Sequence, residues 1–435
     1  EGIVARDSKN QVAPAIASSW ETSRDGLTYT FHLNKNMTFS NGDKLDAEDV
    51  AWSINELIAK GYHDADALAA VSKVEAKDAD TAVITLKTSN PNLLWTLTGR
   101  AGLVFDKDAK YDLKTQAVGS GPYTVAKFVE NSSITLKANE KYWGKNKAKT
   151  PTVVVKYLAD DNAAVNALKS GGVQVLAPIT ENLAEPFKSD SAKYTVKAGN
   201  GTDKFVLGFN NASGSKLADK RIRQAIRYAI NHKELIASRG GADKALGGPI
   251  PSLDPGYEDL TNLYPYDQNK AKSLMAEAGY STDKPLQLTL TYANIYGTEL
   301  GDQLRSQLKP IGIDLKVNVV EFSTWLQDVY TNHTFDISLV DHNESHDFAS
   351  WTDPIYYFGY DNKNVTKLYN EGVAATSDKE RDAKFAAAAK LVSEDAPADW
   401  LFNYRITTAT AKGVEGFPFD LNQTVLPLYN VTYTK

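Results

Sequence analysis

The chain has 435 residues, 42% of them hydrophobic and 23% charged, with a net charge of −6 and no cysteine. This length suits two or three domains with cores of their own, and the near-average composition excludes a wholly disordered chain. The missing cysteines exclude disulfide frameworks, thiolate metal sites and cysteine nucleophiles, and the absence of a concentrated basic face argues against nucleic-acid binding.

In chain order, Tyr29, Phe31 and Leu33 alternate with polar neighbours, the period of a half-buried strand. Asp46, with Asp49 three residues on, heads a helix whose apolar face is Val50, Ile54, Leu57 and Ile58, and Gly61 ends it. Ala82, Ile84 and Leu86 mark another strand. A turn cluster, Gly119-Ser120-Gly121-Pro122, precedes strands at 134–138 and 153–156 and a helix over 163–169. From about residue 205 the pattern becomes β/α. A strand at 205–210 is followed by a helix with Ile222, Ala225, Ile226, Ala229 and Ile230 at helical spacing. A second helix has Asp267 as its cap, Ala271, Leu274, Met275 and Ala278 as its apolar face, and Gly279 as its stop. Alternating Leu286, Leu288, Leu290 and Tyr292, a helix carrying Leu300, Leu304 and Leu308, and alternating Ile313, Leu315, Val317 and Val319 form a βαβ unit, so part of the sheet is expected to be parallel. A late helix opens on a capping box from Ser377 to Glu380. No run of about 18 apolar residues is present to span a membrane as a helix. The chain opens at Glu1-Gly2-Ile3-Val4 without an initiator methionine, which leaves room for a removed upstream segment.

The common catalytic and nucleotide motifs are missing: no Walker loop, dinucleotide fingerprint, nucleophile elbow or HExxH. The turn at Gly119 lacks the lysine of a phosphate loop. His32, His63, His232 and His333 are scattered and read as surface or locally bonded residues. The densest segment follows a strand at 336–340: Asp341, His342, Asn343, Glu344, Ser345, His346 and Asp347, then Phe348, Trp351, Asp353-Pro354, Tyr356, Tyr357, Phe358 and Tyr360. Loops at the carboxyl ends of such strands are where open α/β sheets place ligands. Three readings stay open at this point. His342 and His346 on one helical turn suit a metal. Asp347 or Asp341 against a ligand ammonium, with Trp351 and the tyrosines as walls, makes a binding pocket. A solvated loop over an aromatic core accounts for the same residues with no function. Asp341, Glu344 and Asp347 as paired acids would suit a hydrolase, but no nucleophile–base constellation accompanies them.

Several runs together carry a resemblance. Near the start stand Val12-Ala13-Pro14-Ala15-Ile16-Ala17, Trp20-Glu21, Asp25-Gly26-Leu27-Thr28-Tyr29-Thr30-Phe31-His32-Leu33, Phe39-Ser40-Asn41-Gly42 and Ala47-Glu48-Asp49-Val50. Gly119-Ser120-Gly121-Pro122-Tyr123 and Tyr142-Trp143-Gly144 follow. Then come Gly208-Phe209-Asn210, Asp219-Lys220-Arg221-Ile222-Arg223-Gln224-Ala225, Tyr228-Ala229-Ile230-Asn231, and Ala271-Lys272 with Leu274 and Ala278-Gly279-Tyr280. In order and spacing the chain resembles the peptide- and nickel-binding family of ABC-transporter solute-binding proteins.

The resemblance implies an α/β, two-lobed periplasmic-binding-protein-like fold of type II, a three-domain cluster with mixed sheets and a hinge. Residues 1–116 would be mostly domain II, 117–204 a segment of domain I, 205–405 domain III, and 406–435 a return to domain I. It implies a non-enzymatic, monomeric receptor outside the cytoplasm that binds a peptide between its lobes and delivers it to ABC permease subunits. A metal-chelate receptor is the alternative in the same fold. No cofactor and no structural metal are implied, and contact with membrane would come only through a lipid anchor upstream. The family's peptide receptors hold the peptide ammonium on an aspartate after a domain III strand; Asp347 matches best and Asp341 second. Nickel-chelate receptors use an arginine near 94–104, where Arg100 lies, and a guanidinium suits a carboxylate. Trp351, His346, Tyr404 and Arg405 complete the candidate set. One departure is that the family has a strand and loop of about thirty residues ahead of the Glu1 position.

Overall fold

The clearest local signal, Asp46 ahead of an apolar face, becomes a full capping box in the computed structural model, which describes residues 1–112, 114–375, 377–421 and 426–434. Asp46 accepts from the Glu48 amide at 3.0 Å and Asp49 accepts from the Asp46 amide at 3.1 Å, so otherwise orphaned donors are satisfied. Gly61, at φ 60°, closes the helix Ala47–Lys60 in the left-handed region that glycine enters without a Cβ penalty.

The chain divides into two compact units. The first holds Glu1–Ile179, Leu183–Lys197 and Thr408–Lys435; the second holds Thr180–Asn182 and Ala198–Thr407. In the first, strands Ala17–Thr22, Thr28–Leu33, Thr81–Leu86 and Val71–Asp78 form an antiparallel sheet in that order. Tyr29, Phe31 and Leu33 point into the core, where Val50 and Ile54 of the capped helix meet them. A second antiparallel sheet joins Tyr123–Val129, Ser133–Ala138 and Thr152–Lys156.

The second unit is built on a five-stranded mixed sheet, in the order Ile313–Val320, Leu286–Ala293, Ile337–His342, Lys204–Phe209, Ala398–Asn403. Leu286–Ala293 runs parallel to both of its neighbours, as the βαβ pattern predicts. Lys204–Phe209 runs antiparallel to both of its own. Every residue of Lys204–Phe209 is buried, because both faces of the sheet are covered. One face carries Phe205, Leu207 and Phe209 against the helices Lys220–Ala229, Gln268–Glu277 and Glu299–Leu308. The other carries Val206 against an aromatic core of Trp325, Phe348, Trp351, Tyr357, Phe358 and Trp400. Gly208 lies on that second face, where a Cβ would stand 2.5 Å from Phe358 Cε1. No helix of the described residues is long and apolar enough to cross a membrane.

Candidate functional site

The dense acidic segment begins where the strand Ile337–His342 ends, beside the start of Lys204–Phe209. The antiparallel register sets His342 opposite Lys204 and Asp341 opposite Phe205. Side chains alternate across a strand, so these neighbouring pairs face opposite sides of the sheet and make two different environments.

On the aromatic side, Lys204 is 3% exposed, yet its ammonium is fully engaged. It donates to the Glu344 carbonyl at 2.6 Å and the Thr202 carbonyl at 3.2 Å, and lies 3.2 Å from Asp347 Oδ1. Burial raises the Asp347 carboxyl above its usual range, and the attraction of Lys204 only partly offsets this. The loop between them is pinned by Asp254, which accepts from Ser345 Oγ at 2.5 Å and from the His346 amide at 2.8 Å. His346 itself takes φ 59°. The His342 ring stacks on Tyr357 and bonds its hydroxyl through Nε2 at 3.0 Å. Burial, aided by Lys204, depresses its pKa to about 3, so the ring is neutral near pH 7.

On the opposite side, Asp341 sits among Phe205, Tyr296 and Tyr404. Its amide donates to the Tyr296 hydroxyl at 3.2 Å, but its Oδ1 is buried with no hydrogen-bond partner. Phe205 stacks on Phe402 at 4.8 Å and meets Tyr404 and Tyr296 edge-on. The Arg239 guanidinium covers Phe402 at 4.6 Å and Phe205 at 5.2 Å, and pairs with Asp243 at 2.6 Å. Asp243 Oδ1 accepts from the Arg405 amide at 3.2 Å. The Arg405 side chain is bound to backbone, donating to the carbonyls of Ala198 at 2.6 Å, Gly199 at 3.3 Å and Ala242 at 3.4 Å.

The structure therefore gathers Asp341, Asp347, His346, Tyr404 and Arg405 at one end of the sheet in the second unit, and gives them different work. Asp347 answers an internal lysine, whereas Asp341 keeps an oxygen free. Trp351 is 5% exposed and stacks on Phe358 at 4.5 Å, so it supports the loop from within the core and offers no ring face to a ligand. Arg100 lies in the first unit, with its guanidinium on Asp64 at 2.9 and 3.2 Å.

Two sequence readings are corrected. His342 and His346 do not share a helical turn: one ends a strand and the other is in a left-handed turn. No cluster of three metal-ligating side chains occurs among the described residues. Asp341 and Asp347 do not form a pair of acids, because they serve opposite faces and Asp347 is held by Lys204.

Asp203, Lys204, Arg239, Asp254 and Tyr296 were missed by sequence reasoning. The one available signal was Asp203-Lys204 abutting an otherwise apolar strand, where a charge must find a buried partner.

Residues 11–365 match the model of the bacterial extracellular solute-binding proteins, family 5. The chain is 27% identical to the probable D,D-dipeptide-binding periplasmic protein DdpA of Escherichia coli, over 93% of this chain and 82% of that protein. It is also 27% identical to heme-binding protein A of Haemophilus influenzae, over 89% and 78%. The unliganded open form of the periplasmic murein tripeptide-binding protein MppA superposes with a TM-score of 0.86 at 22% identity, covering 100% of this chain and 91% of that one.

Proposed function

Because the chain belongs to family 5 of the bacterial extracellular solute-binding proteins, we propose that it captures a peptide outside the cytoplasm and delivers it to the permease subunits of an ABC importer. The family match across residues 11–365 carries this reading. The peptide class is supported by the relative named for a D,D-dipeptide. The chemistry of the second unit agrees with a small polar ligand. Asp341 offers a carboxylate oxygen with no internal partner, and Tyr296 and Tyr404 stand beside it with flat apolar faces and hydroxyls. A monomeric receptor held at the membrane by an upstream lipid anchor belongs to the same proposal.

The test is thermal unfolding against a library of di- to pentapeptides. A ligand at ~100 times its Kd stabilises the folded state by about 2.7 kcal/mol, which raises Tm by about 3 °C for a chain of 435 residues that melts as one body. At least one peptide is expected to do so. A library that shifts nothing, while heme or a nickel–histidine chelate raises Tm, would overturn the peptide reading.

A further inference from the structure

In the first unit, the sheet of Tyr123–Val129, Ser133–Ala138 and Thr152–Lys156 carries a charge pattern with no part in ligand capture. Its register sets Lys127 and Val154 on either side of Thr135, Thr152 beside Lys137, and Lys156 beside Ser133. Ser133, Thr135 and Lys137 alternate to one face of the middle strand, so Lys127, Lys137, Lys156 and Val154 share that face. By strand spacing and rise, the three lysines lie within about 15 Å of one another. The loop at residues 139–151 joins the second strand to the third, and it adds Lys141, Lys145, Lys147 and Lys149 at the end where Lys137 stands.

All seven lysines are exposed, and among the described residues none of them pairs with a carboxylate. Residues 121–158 hold these seven lysines against two acids, Glu130 and Glu140, in a chain whose net charge is −6. The sequence reading found no concentrated basic face, because the lysines are spread along the chain and only strand pairing assembles them. Apolar groups lie open beside them. Val154 is 48% exposed, and the third strand runs out into Tyr157 and Leu158, at 44% and 41%.

We infer that this lysine-rich face docks on the surface of an anionic lipid bilayer. The inference goes beyond the transport reading and depends on no particular ligand. Lysine is a point charge on a long apolar stem, which suits a diffuse layer of anionic headgroups. Nucleic acids and other phosphate polymers are gripped best by forked guanidinium groups, and no arginine occurs between residues 121 and 158. A protein partner fits poorly too, since lysine is depleted from the cores of protein interfaces. The exposed valine, tyrosine and leucine suit the headgroup boundary, where a side chain has one end wet and the other in acyl chain. The attraction reaches about 8 Å at physiological ionic strength, so contact is close and salt weakens it. An acidic chain is otherwise repelled by an anionic surface, so the cluster also sets which way the molecule faces as it lands.

The experiment is co-sedimentation of the full chain with vesicles of phosphatidylcholine, alone or with about 30% phosphatidylglycerol, at about 20 and about 500 mM NaCl. Binding is expected only where phosphatidylglycerol is present, and it should fall at least tenfold at the higher salt. Lys127→Gln/Lys137→Gln/Lys156→Gln, checked for unchanged Tm, should weaken it roughly hundredfold, at about fivefold per lysine. Lys272→Gln/Lys309→Gln/Lys363→Gln makes the same change of charge on exposed lysines of the second unit and should weaken it less than about threefold. Because the chain has no cysteine, Val154→Cys and Lys272→Cys can each carry a single environment-sensitive fluorophore, a measurement that stands even if the first triple variant misfolds. Emission from position 154 should shift to the blue on the anionic vesicles, and emission from position 272 should not. No sedimentation with the anionic vesicles at low salt, equal losses in the two triple variants, or a shift at position 272 in place of 154 overturns the proposal. Tighter binding to dextran sulfate than to the vesicles would assign the face to a soluble polyanion and overturn it as well.

Discussion

Replacing Lys204 by methionine tests whether the Lys204–Asp347 pair holds the loop at residues 343–347. The two side chains are 3% and 15% exposed, so this pair is largely shielded from solvent. Removing one partner of a buried pair costs about 3–5 kcal/mol, because it strands the other charge. Asp347 has an escape, since its carboxyl is already raised by burial and will take a proton once Lys204 is gone. With its folded pKa above the unfolded value, Asp347 contributes stability that is present at low pH and lost as pH rises through the folded pKa. The deficit of Lys204→Met should therefore shrink as pH falls from 8 towards 5. Lys204→Met/Asp347→Asn, which leaves no stranded charge, should recover about 2 kcal/mol of the loss. Urea unfolding of the wild type and the two variants, followed by the fluorescence of Trp325, Trp351 and Trp400 in the adjoining core, reads these quantities. A Lys204→Met cost below about 1 kcal/mol, the level of an exposed pair, or a cost independent of pH, would refute the reasoning.

Two other changes follow from buried groups. His342, depressed to about 3, should show an imidazole resonance that does not titrate between pH 5 and 8. The unfolded chain takes up that proton below about pH 6.5, so His342 favours the folded state above that pH and its contribution fades as the solution is acidified; a titration midpoint near 6.5 in the native protein would contradict its placement against Tyr357. Arg227→Met should cost about 3–5 kcal/mol, because it leaves Asp399 buried with His232 as its remaining charged partner. Adding Asp399→Asn should restore part of this, and calorimetry that finds the two changes strictly additive would deny the coupling.

Elements whose pattern exposes one face were legible in the sequence. Asp46 with Asp49, the alternation at Tyr29, and the parallel pair at Leu286 and Ile313 each state their own geometry. The strand Ala398–Asn403 went unread: like Lys204–Phe209 it is buried on both faces and shows no alternation, and its apolar run is interrupted by Asp399. The spacing of His342 and His346 misled for a related reason. Residues four apart share a face only on a helix, and here the strand ends at His342. The acidic segment could be singled out as a candidate site from composition, but its division of labour could not. Whether Asp347 or Asp341 is free depends on Lys204, which lies more than a hundred residues earlier and is brought there by strand register.

The contact between Gly208 and Phe358 bears on how this sheet can drift in evolution. With 2.5 Å between a Cβ at position 208 and the ring edge at 358, the two positions compete for one volume. A substitution at 208 that is ruinous beside phenylalanine becomes admissible once 358 has shrunk, and a small residue at 358 leaves a void unless 208 has grown. The order of mutations then matters. Lineages that cross from one pairing to the other must pass through a poorly packed intermediate, so the glycine and the phenylalanine are expected to be kept or exchanged together.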